Sequence, residues 1–112
     1  MNVHLQGSVE IKMRLTEQQQ NIIKDEVHKF FGTHAQVLLF GSRVNDNERG
    51  GDIDLLIELD YPVEDILKKN LSLNAALQIA MGGLQKIDII THVKDTEEAP
   101  IHKAALQTGI RL

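Results

Sequence analysis

The sequence predicts an α/β (α+β) domain, a small mixed β-sheet with helices packed on it. Three observations predict it. Short runs of strand length occur at 36–40 (QVLLF), 52–58 (DIDLLIE) and 86–92 (KIDIITH), each rich in β-branched or leucine residues. Other segments repeat apolar residues every three or four positions, which is the helical period. The two kinds interleave along the chain, the order expected of two packed layers.

Val9, Ile11 and Met13 alternate with Glu10, Lys12 and Arg14, a weak period-2 signal for an edge strand or extended arm. Thr16 opens the first helix, with Gln19 three residues on as in a capping box. Ile23, Val27, Phe30 and Phe31 follow at helical spacing, and Gly32 stops it. Gln36 to Phe40 reads as a buried strand ended by Gly41-Ser42. Val44 to Gly51 is polar, ends in a glycine pair and reads as a loop, with room for one helical turn near its start. Asp52 to Glu58 is the second strand.

Pro62 is predicted to open a longer helix. Val63, Ile66, Leu67, Leu71, Leu77, Ala80, Met81 and Leu84 give its apolar face, and Gly82-Gly83 ends it. Lys86 to His92 is the third strand. Glu97 to Gln107 reads as a short helix with Pro100 in its first turn, and Gly109 stands where a helix-ending glycine belongs.

The 112 residues fit one domain over 1–112 with one core. There is no cysteine, which excludes disulfides, thiolate metal sites and a cysteine nucleophile. The formal net charge is −4, and Lys68-Lys69 is the one lysine doublet, preceded by Glu64 and Asp65. That doublet reads as a solvated helix face. The balance argues against extended nucleic-acid binding, which wants a basic face. A mildly acidic chain still accommodates a nucleotide when metal ions screen its phosphates. No basic segment followed by an apolar core stands at the N-terminus, and no apolar run approaches the roughly 18 residues of a membrane span. The expectation is a cytoplasmic protein.

The chemistry is concentrated in Phe40 to Glu58, FGSRVNDNERGGDIDLLIE. On a strand, Asp52 and Asp54 point to one face, about 6.5 to 7 Å apart at Cα, while Ile53, Leu55 and Ile57 point to the other. Two such carboxylates repel unless a cation lies between them. Magnesium suits that position, because it binds few carboxylates together with phosphate oxygens. Asp88 interrupts the apolar third strand between Ile87 and Ile89, where an unpaired charge is costly. Beside the Asp52–Asp54 strand it completes a three-carboxylate, two-metal cluster suited to in-line phosphoryl transfer.

Gly41-Ser42 follows a buried strand directly. Glycine lets backbone approach phosphate, the serine hydroxyl and nearby N–H groups can bind phosphate oxygens, and Arg43 adds charge. Blander readings stand beside these. Asp52 and Asp54 would also suit a solvated strand face, Asp88 a pairing with Lys86, and Ser42 a helix N-cap. A calcium loop starting at Asp46 fails, because its twelfth position is Ile57. A Walker A loop fails, because no Gly-Lys-Ser/Thr follows. The five histidines show no paired metal-ligand spacing and read as surface or core-edge residues; His92 ends the Asp88 strand on the Asp88 face.

Gly41-Ser42, a spacer, Asp52-x-Asp54 and then Asp88 on a later strand resembles the polymerase-beta nucleotidyltransferase superfamily. The short chain resembles its minimal nucleotidyltransferase (MNT) branch. The motifs cover Ala35 to Thr91. Glycine-serine alone says little and DxD not much more; the combination with a third aspartate is the specific signal. The nine-residue spacer from Arg43 to Gly51 is one shorter than in many MNT proteins.

The resemblance implies the polymerase-beta-type fold, two Mg²⁺ ions and a nucleoside triphosphate, with ATP as the expected substrate. It implies that Gly41 and Ser42 hold the β- and γ-phosphates with Arg43 close by. It implies Asp52 and Asp54 as ligands of both metals, and Asp88 as a ligand of the catalytic metal that helps activate an acceptor hydroxyl. It also implies a separate helical HEPN protein as partner and a role as antitoxin, by transfer of AMP to that partner. Two rivals remain at this point. One is transfer to a small molecule or RNA end, and the other is neutralisation of a partner by contact alone. A homodimer or hetero-oligomer suits the apolar face of the long helix.

Overall fold

The computed structural model describes residues 15–41, 52–83 and 86–112, with Asp52 by its backbone only. The predicted arm at Val9 to Met13 and the loop at Val44 to Gly51 lie outside the described residues. The elements in order are α1 (Glu17–Phe31), β1 (Gln36–Phe40), β2 (Asp52–Leu59), α2 (Ile66–Ala80), β3 (Lys86–Val93), α3 (Pro100–Thr108) and β4 (Ile110–Arg111). Among the described residues they form a four-stranded mixed sheet in the order β3-β2-β1-β4 with three helices.

Local chemistry sets the boundaries. Thr16 caps α1 as expected: its Oγ1 accepts from the Gln19 N–H at 3.0 Å, and Gln19 Oε1 accepts from the Thr16 N–H at 3.0 Å. The second helix begins at Ile66 rather than Pro62, because Asp65 takes a left-handed conformation (φ 52°) that breaks the helical path ahead of it. The third begins at Pro100 rather than Glu97. Proline disfavours a helical residue before it, and Ala99 is extended (ψ 161°). Gly109 does follow α3, but with extended backbone. Its need for glycine is steric, since a Cβ there would lie 3.2 Å from the Leu39 carbonyl and 3.3 Å from Leu38 Cβ. That close approach lets the chain turn at once into β4, a two-residue strand too short to announce itself in sequence.

β1 runs antiparallel to β2 and β4, whereas β2 and β3 are parallel. A parallel pair needs a long crossover, and α2 supplies it. One sheet face carries Val37, Leu39, Ile53, Leu55, Ile57, Leu59 and Ile87, packed against Ile23, Val27 and Phe31 of α1 and Leu73 and Leu77 of α2. The opposite face buries Leu38 and Leu56 under Ala105 of α3, with Phe40, Ile90 and Leu106 around them. Helices on both faces explain why β1 reads as a continuous apolar run and why Leu56 breaks the alternation of β2. No helix among the described residues is long and apolar enough to cross a membrane.

Candidate active site

The site is built by strand parity. Ile53, Leu55 and Ile57 are fully buried on the α1/α2 side, so Asp54, Leu56 and Glu58 project from the α3 side. Register then sets three rows across this face. The first is Phe40–Asp54–Asp88, the second Leu38–Leu56–Ile90, the third Gln36–Glu58–His92. The middle row is apolar and covered by α3. The outer rows carry charge, at opposite ends of the helix-covered patch.

In the first row Asp54 and Asp88 are direct register partners on adjacent parallel strands. Neighbouring strands lie about 4.8 Å apart, so two carboxylates projecting from that row are close enough for a cation to bridge them. Asp54 is half-buried and Asp88 exposed. No lysine forms an ion pair with Asp88 among the described residues. Lys86 is instead the register partner of Asp52.

Gly41 completes the row. It follows Phe40, the register partner of Asp54, and has φ of +77°. A Cβ built there would collide with Asp54 Oδ2 and lie 3.1 Å from Asp54 Cγ. Glycine is thus required twice, by backbone conformation and by the carboxylate it abuts. Strand pairing therefore brings the backbone of Gly41 against the second aspartate of DxD.

Of the residues singled out from sequence, Gly41, Asp54 and Asp88 converge. Asp52 is placed by its backbone, one strand repeat from Asp54. Ser42 and Arg43 lie outside the described residues. Among the described residues no group of three or more His, Cys, Asp or Glu side chains comes together as a metal site. The donor chemistry of Asp54 and Asp88, hard carboxylate oxygens, fits magnesium rather than a softer metal.

Residues 21–107 match the family model described as a nucleotidyltransferase domain. The chain belongs to this family. The match spans well over half of the chain and contains Gly41, Asp52, Asp54 and Asp88. No curated protein matches the chain. Membership makes the chain a nucleotidyltransferase-type transferase with a nucleotide substrate.

The third row holds a pair that sequence reasoning missed in this nucleotidyltransferase domain. His92 is 5% exposed. Its Nδ1 lies 2.8 Å from both carboxylate oxygens of Glu58, and its Nε2 lies 3.2 Å from the Thr96 carbonyl. Both ring nitrogens face acceptors, so the doubly protonated ring satisfies both. Burial alone pulls the imidazolium pKa down. The Glu58 and Thr96 hydrogen bonds and the charges of Glu58 and Glu98 outweigh it, and the net pKa is raised. The His102 ring sits 5.1 Å away at a tilt of 50°. The signal was present in sequence, since Glu58 follows Asp54 by four and His92 follows Asp88 by four. It became a pair only once the register was known.

Proposed function

We propose that this chain is a Mg²⁺-dependent protein adenylyltransferase, a minimal catalytic domain that transfers AMP from ATP to a hydroxyl of a helical HEPN-type partner, as the antitoxin of that pair in the cytoplasm. The observation that carries the chemistry is the Gly41–Asp54–Asp88 row. It sets two carboxylates side by side against backbone that can approach phosphate. The partner and antitoxin parts rest on the resemblance of the glycine-serine, DxD and third-aspartate pattern to the minimal branch. Leu67 and Leu71, 70% and 65% exposed one turn apart on α2, support a protein partner, because such a bare apolar stripe suits protein contact.

In this reading Gly41, Ser42 and Arg43 hold the β- and γ-phosphates. Asp52, Asp54 and Asp88 are the residues that would hold two magnesium ions. The ions, when bound, offset charge on the carboxylates and on the phosphates. The acceptor hydroxyl oxygen bonds to the α-phosphorus, and the bond from that phosphorus to the β-bridging oxygen breaks. Pyrophosphate leaves with the electron pair. Asp88, exposed at the sheet edge, accepts the hydroxyl proton.

The test is incubation of the purified protein with Mg²⁺ and each α-labelled nucleoside triphosphate, with and without the protein encoded beside it. Label passing from ATP to that neighbour supports the reading. Label passing only to RNA ends or a small molecule overturns the acceptor. Full neutralisation of the neighbour by an Asp52→Asn/Asp54→Asn variant, with no transfer by wild type, overturns the enzyme.

A further inference from the structure

β3 is the outermost strand of the sheet, with β2 on one side and no strand among the described residues on the other. Backbone groups on such an edge lack ladder partners. Asp88 stands on this edge.

The Ile87 carbonyl is satisfied from outside the sheet. Asn74 Nδ2, reaching from α2, donates to it at 2.6 Å. That carbonyl shares one planar peptide with the Asp88 N–H, so the bond fixes the plane from which the Asp88 side chain departs. One turn on, Gln78 Nε2 donates to Asn74 Oδ1 at 3.4 Å, which keeps the amide nitrogen turned to the strand. The base is firm, because the flanking Leu73 and Leu77 are fully buried. Asparagine is a poor residue for a helix interior, and packing alone would favour leucine or alanine at such a position.

We infer that Asn74 is a positioning residue for Asp88: it pins the Ile87–Asp88 peptide at the open sheet edge and so holds the Asp88 carboxylate beside Asp54. The inference rests on the reading of Asp88 as a metal-binding carboxylate. Outer groups that orient ligands in this way are commonly worth about 10- to 100-fold in metal affinity.

The test is Mn²⁺ binding, followed by electron paramagnetic resonance with a non-hydrolysable ATP analogue, in the full chain. Four proteins are compared: wild type, Asn74→Leu, Asp88→Asn and the double variant. Asn74→Leu keeps the branched shape and heavy-atom count of the side chain and removes the donor. The expected result is Mn²⁺ affinity lowered about 10-fold or more by Asn74→Leu, with the melting temperature within a few degrees of wild type. The double variant should bind no more weakly than Asp88→Asn alone, because Asn74 acts through Asp88. Asn74→Ser, which lacks the reach to Ile87, must show the same pattern and serves if the leucine variant does not fold. Wild-type affinity in the Asn74 variants, or a loss that adds in full to that of Asp88→Asn, overturns the inference. Wild-type affinity in Asp88→Asn itself overturns the reading of Asp88, and the inference falls with it.

Discussion

Asp54 and Asp88 are register partners on the two parallel strands of the sheet, and the backbone of Gly41 closes against the Asp54 carboxylate. Like charges on adjacent strands disfavour the fold, whereas under the proposed function the same two carboxylates would hold metal.

Stability should therefore separate from activity at this pair. Asp88→Asn removes one of two repelling charges, so its melting temperature without metal should equal or exceed that of wild type. Added Mg²⁺ and ATP should raise the wild-type melting temperature and leave that of the variant nearly unchanged. Differential scanning calorimetry with and without ligands reads both.

Gly41→Ala should damage both folding and function. The residue would hold φ near +77° with a side chain and push against Asp54. The backbone term alone costs about 1–2 kcal/mol. Urea titration measures that loss, and nucleotide affinity should fall by more than the stability change accounts for, because the Asp54 carboxylate is displaced.

The His92–Glu58 pair predicts a pH signature. The folded pKa of His92 is raised, so its contribution to stability is complete below the ordinary histidine value of about 6.5 and is lost as pH rises through the raised value. Glu58, Glu98 and the neighbouring His102 ring are the groups that face it. Melting temperature should fall over that window in wild type, and the fall should be absent in His92→Gln.

Leu56 is fully buried between the two charged rows, beneath α3. Leu56→Ala should cost about 2–5 kcal/mol by lost burial and the cavity left behind. Because Leu56 separates the rows, α3 should loosen first, visible as faster amide exchange at Ala105 and Leu106 than in α1.

Much of this was legible in the residues themselves. QVLLF is β1 to the residue, the Thr16–Gln19 box opens α1, and the apolar run around Asp88 is β3. What escaped depended on tertiary placement. The left-handed Asp65 moved the start of α2, and nothing in its neighbours announces that conformation. β4 is two residues held by pairing with Leu38 and Leu39, so no period exists to read. Glu58 and His92 are 34 residues apart, and Asn74 and Ile87 meet across a crossover. Parity places each residue on a face, but register alone decides who its neighbour is.

The most direct measurement is pyrophosphate release from ATP in the presence of the acceptor and Mg²⁺, comparing wild type with Asp54→Asn and Asp88→Asn. The account predicts release by wild type that requires Mg²⁺ and falls on the order of 10²-fold or more in each variant, as expected for removal of a group that stabilises transition-state charge. Release at the wild-type rate by either folded variant would contradict it.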